Sequence, residues 1–243
     1  MDSHQDILSR ALRRRDLLIA LGGVGVAALW QAACGSGNTK SASNATTPPA
    51  PTSAQDAATT SCVLSREATA GPYYIPNHLT RRDVTGGRPG LPLGLHVTVI
   101  NASTCMPITG ADVEIWHADA SGAYSGVGGN HKRFLRGHQK SDSKGRVLFD
   151  TIYPGWYMGR TPHVHIKVHV GGAVVHTGQL FFDDRTSAAV YRTSSYKAHG
   201  QADTTNGSDG IYASAGGSKA KVRLARRNGR QGFDGRMTVA VRT

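Results

Sequence analysis

The chain has 243 residues and a formal charge of +12 at pH 7. Its length allows one good core or two small ones, but the first sixty residues hold no core material, which leaves one domain of ordinary size. The charge would suit anionic partners, yet much of it lies in KAKVRLARRNGR (219–230). That stretch has no aromatic interleaving and no recognition-helix period, so it reads as a solvated basic segment and not as a nucleic-acid site.

In chain order, residues 10–34 come first: RALRRRDLLIALGGVGVAALWQAAC. A basic run with Arg14 and Arg15 adjacent, an apolar stretch from Leu17 to Trp30 and then small residues form an export signal of the twin-arginine type. Its apolar stretch falls short of the ~20 residues that cross a bilayer. Cys34, followed by Gly-Ser-Gly, resembles the lipid-modified cysteine of bacterial lipoproteins, although Gln31 departs from that pattern. The expected place is therefore extracellular, or anchored on the outer side of the membrane through Cys34. Residues 35–60, rich in Ser, Thr, Ala and Pro, read as a tether that cannot bury enough surface to fold. The folded domain is expected over 61–243. Cys62 and Cys105 remain as an even pair in an oxidising space, either a disulfide pinning the domain's start to an early hairpin or two buried thiols.

From residue 91 onward, short β-type runs alternate with Gly, Pro, Asn and Asp. They are LGLHVTVIN (93–101), GADVEIWHA (110–118), GRVLFDTIY (145–153), HVHIKVHV (163–170), AVVHTGQLFF (173–182) and RMTVAVR (236–242). Many short strands without amphipathic helices argue for an all-β sandwich or barrel. The polar segment 183–235 is too long for an ordinary loop. It is expected to wrap the sandwich.

Period two sorts HVHIKVHV into a core face of Val164, Ile166, Val168 and Val170, and a second face of His163, His165, Lys167 and His169. That second face looks into solvent or into a site. A histidine pair at i and i+2 can place both imidazoles on one metal, or it can be an ordinary surface pair. Tyr157, after the Pro154-Gly155 turn, and Tyr124, in the glycine-rich SGAYSGVGG, supply the company a metal would want. A phenol with a pKa near ~10 is a poor ligand for divalent ions, whereas Fe(III) is hard enough to drive off its proton. Two phenolates and a hydroxide would neutralise the ion's charge, and two neutral histidines would complete five-coordination. Two rivals stand beside this reading: a divalent or copper site built from His163, His165, His169 and His176, and a sandwich that only binds.

These residues bring the chain into line with a family. In GPYYIP (71–76), PITGADVEIWHADASGAYSG (107–126), FLRGHQKSDSKGRVLFDTIYPGWYMGRTPHVHIKVHV (134–170) and HTGQLFF (176–182) it resembles the intradiol ring-cleavage dioxygenases, most closely their exported branch. The resemblance implies a Greek-key β-sandwich with non-haem Fe(III) held by Tyr124, Tyr157, His163 and His165. It implies that Arg160, in R-x-x-H-x-H, and Gln179 face the substrate, and that Tyr73 lines the pocket mouth. The implied reaction joins O2 to a small catechol-type diol and splits the bond between the two hydroxylated carbons, giving a muconate-type diacid. Two departures stand out. Only Met158 and Gly159 separate Tyr157 from Arg160, and the helical N-terminal segment through which catechol dioxygenases dimerise is missing.

Overall fold

The computed structural model describes residues 62–76, 79–129 and 131–243. The expected export signal, the lipidated Cys34 and the tether lie outside these residues. Eight strands form two four-stranded sheets. Among the described residues they are β1 (Pro92–Asn101), β2 (Asp112–Trp116), β3 (Arg136–Lys140), β4 (Arg146–Ile152), β5 (His163–Val170), β6 (Ala173–Phe181), β7 (Arg223–Arg226) and β8 (Phe233–Val241), with a short α-helix, α1 (Asp184–Val190), after β6 and a 3-10 turn at Gly217–Ala220. The strand orders are β4-β1-β8-β7 and β3-β2-β5-β6. Only β1 and β8 run parallel among the paired strands. This is the all-β sandwich that the strand pattern predicts.

The sheets face each other because alternate side chains of each strand are apolar and point inward. Leu93, Leu95, Val97 and Val99 of β1 and Val164, Ile166 and Val168 of β5 are fully buried, and they join Val113, Ile115 and Phe149 in one core. Each such side chain contributes about 1.5–3 kcal/mol on burial. The opposite face of β5 therefore turns away from that core, and this is what frees its histidines for other work.

Two strands have no apolar alternation to announce them. β3, RGHQK, exists because it pairs with β2, Glu114 opposite His138. β7 comes from the basic segment and pairs with β8, Arg226 opposite Phe233. Tertiary pairing overrides local composition in both.

Segment 183–235 wraps the sandwich as expected. It opens with α1, seven residues long and capped by the Asp183 carboxylate, which accepts from the Arg185 and Thr186 amides. Tyr191 and Tyr196 then bury their rings and donate to the carbonyls of Pro154 and Tyr153 at 3.0 and 2.7 Å. These bonds fix the segment to the turn that carries Tyr157.

The domain's start is also tied down. Cys62 and Cys105 form a disulfide, which fastens residue 62 to the turn after β1. Ser65 N–H donates to Ala240 of β8 and Ala68 N–H to Thr177 of β6. Residues 68–74 are thereby laid across the outer face of β5 and β6.

Candidate metal centre

His163 and His165 open β5, where period two sends both rings to the outer face. Of the two surroundings expected for this face, solvent or a site, the two histidines do not have solvent: they are only 2% and 1% exposed. Covering comes from residues 68–74, with Gly71 so close that a Cβ there would sit 3.3 Å from His165 Cε1. On the other side, Trp116 of β2 lies opposite His165 and stacks on its ring, centroids 4.8 Å apart and planes 3° from parallel. Trp116 looks like plain core in the sequence, yet it is the wall that sets the plane of His165.

The two histidine Nε2 atoms face each other at 3.1 Å. His163 donates from Nδ1 to the Thr161 carbonyl at 2.7 Å, which leaves its Nε2 lone pair pointing to the centre. Burial first, and then the charge of Arg160, push the His163 pKa down to about 3. His165 is driven well below its ordinary value by burial and then by His163. Both rings are neutral donors at neutral pH.

Tyr157 and Arg160 meet across the shortest of turns. Arg160 N–H donates to the Tyr157 carbonyl at 3.1 Å, and Gly159 takes the positive φ of 79° that this reversal demands. The missing residues noted in the sequence thus bring the two side chains side by side: Arg160 Nη1 lies 3.4 Å from the Tyr157 hydroxyl. That hydroxyl is 3.3 Å from His163 Nε2. Tyr124 arrives from a turn organised by the buried Asp119, whose carboxylate accepts from Ser121 and Ala123 amides. Its ring lies 5.7 Å from that of Tyr157 and 6.2 Å from His165. Tyr73 stacks on Tyr124 at 4.6 Å and meets the Tyr157 ring edge-on at 5.6 Å.

Electrostatics set the terms for any occupant. Burial raises the Tyr124 pKa well above its ordinary value, and the adjacent Tyr157 adds to the shift. Burial also raises Tyr157, against the pull of Arg160. Both phenols keep their protons unless a strong Lewis acid displaces them. The buried His165 Nδ1 has no hydrogen-bond partner, and the buried Tyr124 hydroxyl has no well-formed one, only the Tyr157 hydroxyl beside it. Leaving such groups unsatisfied costs about 1–3 kcal/mol each, and a cation between the phenols and imidazoles would relieve Tyr124. Among the described residues no three His, Cys, Asp or Glu side chains converge as a metal site. The rival four-histidine site is therefore not assembled: His169 lies beside Glu114 at 3.9 Å, and His176 lines a cavity with residues 63–66 and 215–220, which Gln179 borders as well.

Gln179 of β6 pairs opposite His165 and is buried. It accepts from Arg160 Nη2 at 2.5 Å and donates to the Thr69 carbonyl at 3.0 Å. Arg160 is held from behind by a residue that sequence reading passed over, Asp209, whose carboxylate accepts from Nε at 2.8 Å. Burial would raise the Asp209 pKa, but hydrogen bonds from Arg160, Ile211 and Thr161 outweigh it and hold the carboxyl below its usual range. All seven sequence-predicted site residues, Tyr73, Tyr124, Tyr157, Arg160, His163, His165 and Gln179, thus lie in one contiguous cluster.

Known proteins share the fold. The family model Dioxygenase_C, described as Dioxygenase, matches residues 69–194. The fold is similar to the intradiol ring-cleavage dioxygenase of Tetranychus urticae, with 34% identity over 74% of this chain and 95% of that one and a TM-score of 0.71. It is similar also to the dioxygenase domain of a dioxygenase and carbohydrate-binding protein fusion from Streptomyces sp. SirexAA-E, at 27% identity, 74% and 99% coverage and TM-score 0.58. The 3-chlorocatechol 1,2-dioxygenase of Rhodococcus opacus 1CP, 20% identical with 73% and 72% coverage and TM-score 0.56, shares the fold. No curated protein matches the chain by sequence. The chain belongs to the intradiol ring-cleavage dioxygenase family. Its matched stretch includes all seven clustered residues and ends before Asp209.

Proposed function

We propose that the protein is an Fe(III)-dependent intradiol dioxygenase that joins O2 to a catechol-type diol and opens the ring between the hydroxylated carbons. The observation that carries this reading is the convergence of two neutral imidazoles and two phenols in one buried cluster. Tyr124, Tyr157, His163 and His165 would hold the ion. The chemistry that a ferric ion supplies when bound is Lewis-acid activation of a chelated diol toward O2.

The chain's own residues do the rest. Ionised by such an ion, Tyr157 would be the base that takes a diol proton at its phenolic oxygen, with Arg160 Nη1 3.4 Å away to steady the charge before the transfer. Arg160 presents a fixed positive charge to the negative charge that develops on the ring during oxygen insertion. Gln179 and Asp209 hold that guanidinium from two sides. Tyr73 and the segment around Gly71 cover the centre and exclude water from it. Both oxygen atoms end in the diacid product, so no outside reductant is needed. The Cys62–Cys105 disulfide supports an oxidising, extracytoplasmic setting for this chemistry.

Metal analysis of purified protein together with O2 uptake against a panel of small catechols and hydroxyquinols tests the proposal. One iron per chain and uptake with at least one diol is the expected result. Iron-loaded protein that consumes no O2 with any of them would reduce the sandwich to a binding module.

A further inference from the structure

Asp209 sits in the long segment after β6, 49 residues from Arg160 in sequence, and its side chain is completely buried. Its two oxygens accept four hydrogen bonds in two pairs. Oδ2 takes Arg160 Nε at 2.8 Å and the Thr161 amide at 2.9 Å. Oδ1 takes the Ile211 and Tyr212 amides at 2.7 and 3.1 Å. The first pair belongs to the connection that leads into β5; the second belongs to Asp209's own loop. One carboxylate therefore joins loop and centre.

The connection runs further. The Thr161 peptide whose N–H is held by Asp209 offers its C=O to His163 Nδ1. A buried carboxylate thus reaches both the guanidinium and, through one residue, the ring nitrogen that fixes the His163 tautomer. Neighbouring Asn206 reinforces the loop: it accepts from the Thr161 hydroxyl at 3.1 Å and donates to the Phe182 carbonyl at 2.7 Å.

From this geometry we infer that Asp209 is the positioning residue of the site, aiming Arg160 at the reacting diol and clamping the 203–212 loop over it. The inference rests on the proposed dioxygenase reading for what Arg160 is aimed at. A guanidinium has rotational freedom about its stem, and electrostatic stabilisation falls off steeply with a misplacement of about 1 Å. With Nε fixed by Asp209 and Nη2 by Gln179, only Nη1 remains turned toward Tyr157.

The test compares Asp209→Asn, Asp209→Ala, Arg160→Ala and the double variant Arg160→Ala/Asp209→Ala. Asp209→Asn keeps the shape and one acceptor oxygen, which guards against a simple folding failure. Asp209→Ala is expected to keep its iron and visible absorption while kcat falls about 100-fold and KM changes less than about threefold. The double variant should be no slower than Arg160→Ala alone, because Asp209 acts through Arg160. Losses that multiply in the double variant, or a kcat unchanged in Asp209→Ala, overturn the inference. So does loss of iron that accounts for the whole deficit in both Asp209 variants.

A second readout needs no metal. Amide hydrogen exchange at Thr161, Ile211 and Tyr212 should accelerate in metal-free Asp209→Ala while the strands stay protected, and unchanged rates would overturn the clamp. An inactive wild type, by contrast, would sink the dioxygenase reading itself, and it is recognised before any variant is made.

Discussion

Trp116 and His165 lie face to face across β2 and β5, 4.8 Å apart and nearly parallel, although one is core and the other part of the candidate metal centre. Truncating Trp116 to alanine should therefore have two effects that travel together. Stability falls by about 3–5 kcal/mol from the cavity, and His165 gains freedom to turn away from His163. Denaturant unfolding with iron titration will show a lower midpoint and weaker metal binding. Trp116→Phe, which keeps a flat wall, should recover most of both.

The phenols should be visible by eye. Iron bound by two ionised tyrosines absorbs visible light, so Tyr157→Phe should shift that band and Tyr124→Phe should shift it and weaken binding. Removing the metal with a chelator should bleach the band and lower Tm, because an ion that binds only the folded chain stabilises it. A spectrum identical in both variants would remove the tyrosines from the centre.

Arg160→Ala leaves all four proposed ligands in place. It should hold iron normally and lose about 10²–10³-fold in kcat. Oxygen uptake under saturating catechol, normalised to bound iron, measures this.

Acid should weaken the fold through His117. It is fully buried, donates from Nδ1 to the Ala118 carbonyl and accepts at Nε2 from the Thr151 hydroxyl, at 2.8 and 2.7 Å. Burial lowers its pKa to about 4. The unfolded chain, with the ordinary value near ~6.5, binds the proton first. Stability from this group is complete above that value and drains away as pH falls toward about 4, by roughly 3 kcal/mol. Denaturant midpoints of metal-free protein at pH 7, 5.5 and 4.5 should fall accordingly, and His117→Gln should flatten part of the slope.

Replacing Cys62 and Cys105 by serine opens a loop of 43 residues in sequence. The expected loss is about 3–4 kcal/mol. Residues 68–74 should then exchange faster than the sheets, with looser iron as a consequence.

How far the molecule was legible depended on whether a residue's role is local. β5 announced itself, since apolar alternation fixes which way each side chain points, and the H-x-H pair with Tyr157 and Arg160 follows from sequence neighbours. β3 and β7 did not, because RGHQK and RLAR become strands only by pairing with β2 and β8. The burial of His163 and His165 was hidden too: their cover is folded over from residues 68–74, about ninety positions upstream. Asp209 lay within a polar stretch with no period, and no spacing rule ties it to Arg160. Trp116 carries no signal either, because indole has no acid–base chemistry and nothing in the sequence ties it to the His165 ring.

The anchoring of the first described residues has a mechanical meaning. A pull on the chain from before Cys62 is delivered by a covalent bond into the turn after β1, and next by Ser65 into the final strand. Both lie ahead of Gly71 and Tyr73 on the line of force. Motion of the chain before Cys62 is thus absorbed before it reaches the segment that covers the imidazoles.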